Sequence, residues 1–206
     1  MPKIIPAPDL AAAVEVIRAG GVVAFPTETY YGLAVDPFNA AALARLFRLK
    51  KRLVSKPILT VIDDQRQLPL LIREMPPAYR PLMAQFWPGP LTLIFKGRAD
   101  LPVLLTGDTG TVGVRIPAHP VARALVRAVG GPVTATSANI SGAAAAATAQ
   151  EVRRQFGSGV ELVLDGGKTA GETGSTIIGI ENGRPRLLRA GVIPFARIEE
   201  ALDHGR

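Results

Sequence analysis

Small hydroxyl side chains interleaved with cations, most of them at the ends of apolar runs, are the chemistry-bearing feature of this 206-residue sequence. Lys50 and Arg52 close a helical stretch just ahead of a strand. Thr111, Gly113 and Arg115 alternate along an apolar run and so share one strand face. An arginine among such neighbours needs an anionic partner, either a structural carboxylate or a ligand. The run Thr134-Ala135-Thr136-Ser137-Ala138-Asn139 leaves a strand for a turn rich in donors, and Gly174-Ser175-Thr176 and Leu188-Arg189 repeat the theme, with glycine allowing close backbone approach. This is the chemistry needed to hold a polyphosphate and a zwitterion. Each piece also has a structural reading: cations at a helix C-terminus complement its dipole, and Ser137 and Asn139 can cap a turn or a helix.

Several other chemistries are excluded. Gly167-Lys168-Thr169 follows a strand, but the first glycine of a P-loop would fall at Leu162. No G-x-G-x-x-G opens a helix, and no G-x-S-x-G surrounds Ser137. The two histidines, His119 and His204, have no metal-ligand spacing; His119, before Pro120, reads as a helix cap or turn residue. The absence of cysteine excludes disulfides, thiolate metal sites and a cysteine nucleophile, and fits a reducing compartment.

The positioning elements follow from periodicity. Helices are predicted over residues 9–19 (capped by Asp9 and ended by Gly20-Gly21), 40–49, 65–73, 76–86, 121–129, 148–156 (capped by Thr148) and 196–202. Strands are predicted over 22–25, 57–62, 91–96, 112–116, 133–136, 161–164, 176–180 and 186–188. Pro26 delivers the first of these strands into a loop, Thr27-Glu28-Thr29-Tyr30-Tyr31-Gly32, and loops at strand ends are where sites usually sit. Helices and strands intermingle without a Pro, Gly or Ser-rich linker. The expectation is therefore one α/β domain spanning residues 1–206 around a twisted mixed sheet.

Composition narrows the partners. The chain is 48% hydrophobic, enough for a sizeable core, and carries a formal charge of +7. Eighteen of its 24 cations are arginine, which favours bidentate recognition of phosphate or carboxylate, although this bias is also what genome composition alone produces. Aromatics are only 5% of residues, too few for stacking several bases, so a general single-strand binder is disfavoured. No apolar run approaches the roughly 18 residues of a membrane span, and the N-terminus does not read as a signal peptide. The expectation is a cytoplasmic protein with no membrane partner.

Taken together, Ala24-Phe25-Pro26-Thr27-Glu28-Thr29-Tyr30-Tyr31-Gly32-Leu33, Lys50 with Arg52, Trp87-Pro88-Gly89-Pro90-Leu91-Thr92, Gly113-Val114-Arg115-Ile116-Pro117, Ser137-Ala138-Asn139-Ile140-Ser141-Gly142, Ser175-Thr176 and Leu188-Arg189 resemble the YrdC/Sua5 family of threonylcarbamoyl-AMP synthases. The resemblance implies a YrdC-type twisted open mixed sheet with flanking helices and a basic concave cleft. It implies a nucleotidyltransferase that condenses L-threonine, bicarbonate and ATP into threonylcarbamoyl-AMP and pyrophosphate for t6A modification of tRNA at position 37. Lys50, Arg52, Ser137 and Asn139 would be catalytic; these four with Lys56, Thr111 and Arg189 would bind ATP; Thr27, Thr29, Arg115 and Ser175 would bind threonine. The resemblance implies no protein-held metal; Mg²⁺ would ride on the nucleotide phosphates. Possible partners are tRNA or downstream threonylcarbamoyl-transfer proteins. The Sua5 branch has a further C-terminal domain, so the chain looks like the short YrdC-type form. Leu53 stands where the family commonly has proline, and Val61 where some members have histidine.

A competing reading is an RNA-binding or ribosome-associated module using the same basic concavity. Against it stand the few aromatics and the scattering of cations among hydroxyl residues at strand ends.

Overall fold

The computed structural model describes residues 3–6, 9–54, 57–181 and 183–203. Its strands divide into two mixed sheets. The first has the order β1 (Lys3–Pro6), β9 (Leu162–Asp165), β2 (Val23–Pro26), β3 (Tyr31–Ala34), β8 (Thr136–Ser137). The second runs β11 (Arg184–Arg189), β10 (Thr176–Glu181), β5 (Leu91–Lys96), β6 (Thr111–Arg115), β4 (Leu59–Val61), β7 (Val133–Thr134). Helices α1 (Leu10–Arg18), α2 (Ala40–Lys50), α3 (Tyr79–Phe86), α4 (Val103–Thr106), α5 (Pro120–Val129), α6 (Ala149–Phe156) and α7 (Phe195–Asp203) accompany them.

Local chemistry accounts for the helix ends. Asn39 caps α2 by accepting from the Ala41 and Ala42 amides at 3.0 and 3.1 Å. Lys51, in the left-handed region at φ 49°, turns the chain out of that helix. Thr148 caps α6, and His119 Nδ1 accepts from the Val121 amide to cap α5, as its position before Pro120 suggests. Asp9 makes no side-chain cap on α1, contrary to expectation. That helix is held by its buried face of Ala13, Val14 and Ile17.

Other departures have physical causes. Residues 65–73 form only a 3₁₀ turn, Gln65–Leu70, because Pro69 has no amide to continue a helix. The helix expected over 76–86 begins at Tyr79, after Pro76 and Pro77. Residues 31–34, read partly as loop, become β3, pairing antiparallel with β2 and burying every side chain. The 133–136 strand is two strands in two sheets: β7 pairs with β4 and β8 with β3. At the end of β7 Thr134 stitches the seam, accepting from the Val35 amide at 2.9 Å and donating to the Leu33 carbonyl at 3.0 Å. Short β1 and α4 carried no readable periodicity.

After β11 the chain folds back across the start of β10. Val192 N–H donates to the Gly174 carbonyl, and Thr176 Oγ1 bonds both the Ile193 carbonyl and amide. At Gly191 a Cβ would overlap backbone atoms of Gly174, Ser175 and Thr176, so only glycine fits the crossing. Gly191→Ala is expected to lower stability by about 1–3 kcal/mol through overpacking against backbone that cannot rotate away. Urea unfolding checks this, and an unchanged midpoint would contradict the tight crossing.

Candidate functional site

Where the two sheets meet lies a cavity of about 270 Å³. The β2–β3 turn brings Thr27 and Thr29 to it; the second sheet contributes Thr60, Thr92 and Arg115; Arg52, Ser137, Ser175 and Arg189 are among the other polar residues that line it. An adjoining recess of about 260 Å³ shares Arg52 and Ser137 with it and adds Lys50 and Asn139. Nine of the eleven residues singled out by the sequence thus converge on two neighbouring hollows, Lys50 and Asn139 in the second and the other seven in the first. Thr111 does not join them. It sits at the opposite end of β6, in a separate groove with Ile94, Lys96 and Leu188. Lys56 lies outside the described residues, as does His204.

Arg115 is 6% exposed, and its Nη1 donates to Glu28 Oε1 at 3.0 Å. The other carboxylate oxygen of Glu28 accepts from the Ala118 amide at 3.2 Å. The carboxylate demanded by a buried guanidinium is therefore supplied by the protein, from the loop between Thr27 and Thr29, while Arg115 still lines the cavity. Burial lowers the pKa of Arg115, and Glu28 opposes that shift.

Lys50 is 2% exposed. Its ammonium donates to the carbonyls of Ser137 and Asn139 and, at 3.4 Å, to Asn139 Oδ1, while its own carbonyl accepts from the Ser141 amide at 2.8 Å. Three donors thus meet three oxygens of the Ser-x-Asn turn. Burial, and then the charge of Arg52, push this lysine down to about 7. Arg52 itself donates to the Pro57 carbonyl at 2.8 Å, and burial lowers its pKa. Arg189 grips Ser175 through Nε and Nη2 to the carbonyl and Nη2 to the hydroxyl, at 3.2, 2.7 and 3.0 Å. Partial burial, then the charges of Arg115 and Arg52, hold its pKa below the usual range.

The hydroxyl hydrogens can be traced. Thr27 donates to the Tyr30 carbonyl at 2.7 Å, so in its 3.0 Å contact with Thr29 it must be the acceptor. Thr29 thereby turns lone pairs outward. Ser137 gives its hydrogen to Asn139 Oδ1 at 2.6 Å and likewise retains only acceptors. Glu28, Thr60 and Thr92 were not singled out from the sequence. Glu28 and Thr92 stand inside the segments carrying the resemblance, but only the tertiary fold shows what each touches.

Two mixed sheets sharing one crossing segment, with three arginines and a belt of hydroxyls at their seam, define an α/β protein with a polar cavity between its sheets. The family model Sua5_yciO_yrdC, described as "Telomere recombination", matches residues 15–191, and the chain belongs to that family. It is 39% identical over 190 residues to the threonylcarbamoyl-AMP synthase of Pyrococcus abyssi, covering 92% of this chain and 56% of that protein. To the threonylcarbamoyl-AMP synthase of Thiobacillus denitrificans it is 44% identical over 174 residues, covering 84% and 91%. The crystal structure of P. abyssi Sua5 complexed with L-threonine superposes with a TM-score of 0.92 at 37% identity, covering 97% of this chain and 60% of that one. Among the described residues no helix is long and apolar enough to cross a membrane.

The buried lysine sets a pH dependence. Unfolded lysine titrates near about 10.4, so between about 7 and that value the unfolded chain holds more protons than the folded one. Lys50 therefore makes stability rise with pH across that window. Lys50→Met is expected to remove this part of the slope, read by urea unfolding at about pH 7 and about pH 9; an identical slope in the variant would show that Lys50 is not the group responsible.

Proposed function

We propose that the chain is an L-threonylcarbamoyl-AMP synthase acting as one YrdC-like unit in the cytoplasm. The observation that carries this reading is the convergence of Arg52, Arg115 and Arg189 with Thr29 and Ser175 on one cavity, in a chain related to synthases of that name. The threonine nitrogen attacks the bicarbonate-derived carbon, with loss of water, to give a carbamate. A carbamate oxygen then attacks the α-phosphorus of ATP, and pyrophosphate leaves. The AMP group passes to the carbamate, which makes the reaction a nucleotidyl transfer.

No protein nucleophile is needed, so the residues act by positioning and by stabilising charge. Arg115 receives the threonine carboxylate; Thr29, whose lone pairs face outward, accepts from a donor on the same substrate, and Thr27 fixes Thr29. Arg52 and Arg189 face phosphate oxygens. Lys50 and Asn139 hold the turn that carries Ser137 beside the nucleotide. Lys56 completes the nucleotide contacts that the family resemblance implies, and Thr111, in its separate groove, is not among them. The polar lining is guanidinium, hydroxyl and backbone, and the nearby carboxylate of Glu28 is bound to Arg115, so these side chains do not suit direct coordination of Mg²⁺. We place any Mg²⁺ on the nucleotide phosphates.

The product suits delivery to tRNA for t6A formation, directly or through a threonylcarbamoyl-transfer protein. The RNA-binding alternative is not favoured, because the cleft cations are dispersed among hydroxyls rather than gathered on one face. Pyrophosphate release from labelled ATP is expected to require both L-threonine and bicarbonate. Equal release with either one omitted would rule out the assignment, since the attacking carbamate forms only from both.

A further inference from the structure

We infer that Thr92 is a substrate-contacting residue, the terminal donor of a hydrogen-bond chain that delivers its hydroxyl hydrogen to the carboxylate held by Arg115. The inference rests on the reading of Arg115 as the carboxylate receptor. Thr92 is 1% exposed yet lines the cavity. On β5 it stands one position beyond the Leu93–Val114 pair of the antiparallel ladder, which puts it opposite Arg115. Its hydroxyl lies 2.8 Å from that of Ser175, and Ser175 Oγ already accepts from Arg189 Nη2 at 3.0 Å.

Two hydroxyls hold two hydrogens, and one of these joins Thr92 to Ser175. The other has no hydrogen-bond acceptor among the described residues besides this pair, and both oxygens border the cavity. A hydroxyl that accepts from a guanidinium becomes a stronger donor and a weaker acceptor. The favoured order is therefore Arg189 to Ser175 to Thr92, leaving the Thr92 hydrogen for an oxyanion in the cleft. Since Thr29 presents lone pairs, the cavity offers an acceptor and a donor at different points of its wall, which suits an amino acid carrying both a donor group and a carboxylate.

The test measures threonine and ATP dependence of pyrophosphate release separately for Thr92→Val and Thr92→Ser, with urea unfolding of each. Thr92→Val keeps the shape and loses the hydrogen. It is expected to raise the threonine KM about tenfold or more and leave the ATP KM within about twofold, the scale of a lost hydrogen bond to a charged group being confined to one substrate. Thr92→Ser is expected to restore threonine dependence. Unchanged threonine dependence in Thr92→Val, or equal losses for both substrates, overturns the inference. If Thr92→Val does not fold, Thr92→Ser decides: dependence near wild type supports the donor, whereas a loss shared by both substrates refutes it. Arg115→Lys separates the underlying reading. If it leaves the threonine dependence unaltered, the receptor assignment itself fails; if it raises that dependence while Thr92→Val does not, only the role of Thr92 is lost.

Discussion

Two cations almost wholly removed from water govern the architecture around the cleft. A buried charge is tolerated only where oxygens surround it, and neither Lys50 nor Arg115 finds those oxygens on its own element. Lys50, at the end of α2, reaches the turn after β8; Arg115, at the end of β6, reaches the loop between β2 and β3. Each desolvated charge thus ties its element to a loop that follows a strand of the first sheet. The cleft is the gap between the elements so joined.

The same arrangement explains how three guanidiniums can line one cavity. Arg189 spreads its donors over the carbonyl and hydroxyl of Ser175, and Arg115 shares its charge with Glu28. Partial satisfaction of this kind fixes the guanidinium planes in advance, so a ligand does not have to order them on arrival. Hydroxyl groups fill the spaces between, and their hydrogens are oriented by neighbours rather than by the ligand alone.

Much of this was legible in the sequence because the long elements announce themselves. α2, α5 and α6 carry clear periodicity and caps, and β5 and β6 are apolar runs of adequate length. The alternation that put Arg115 on an apolar strand face correctly demanded an anionic partner, though the sequence could not say that the partner was Glu28, 87 positions away. Short elements were opaque. Residues 133–136 look like one strand because period-two alternation contains no sign of a change of sheet, and Tyr31 looks like loop because it follows directly on the turn after Pro26 and only the tertiary fold pairs it with β2. Lys50 was readable as a helix-terminal cation facing phosphate; that its donors turn inward to a loop of distant sequence was not. Thr111 shows the opposite limit, since sharing a strand face with Arg115 does not place it in the same cavity.

The crossing segment from β7 to β8 has a consequence for how family members can diverge in length. Thr134 and Ser137 are committed to different sheets with only Ala135 and Thr136 between them, so no slack is stored there. One inserted residue would reverse the side-chain alternation of β8 relative to β7 and turn Ser137 away from the cleft. By contrast, Ala143 and Ala144 are exposed in a loop outside both sheets, where side-chain donors of Asn139 and Gln155 reach their carbonyls and no strand ladder fixes the register. Insertions and deletions in relatives should therefore accumulate on that loop and be purged from the crossing, which makes Thr134-Ala135-Thr136-Ser137 a fixed ruler in an otherwise length-tolerant chain.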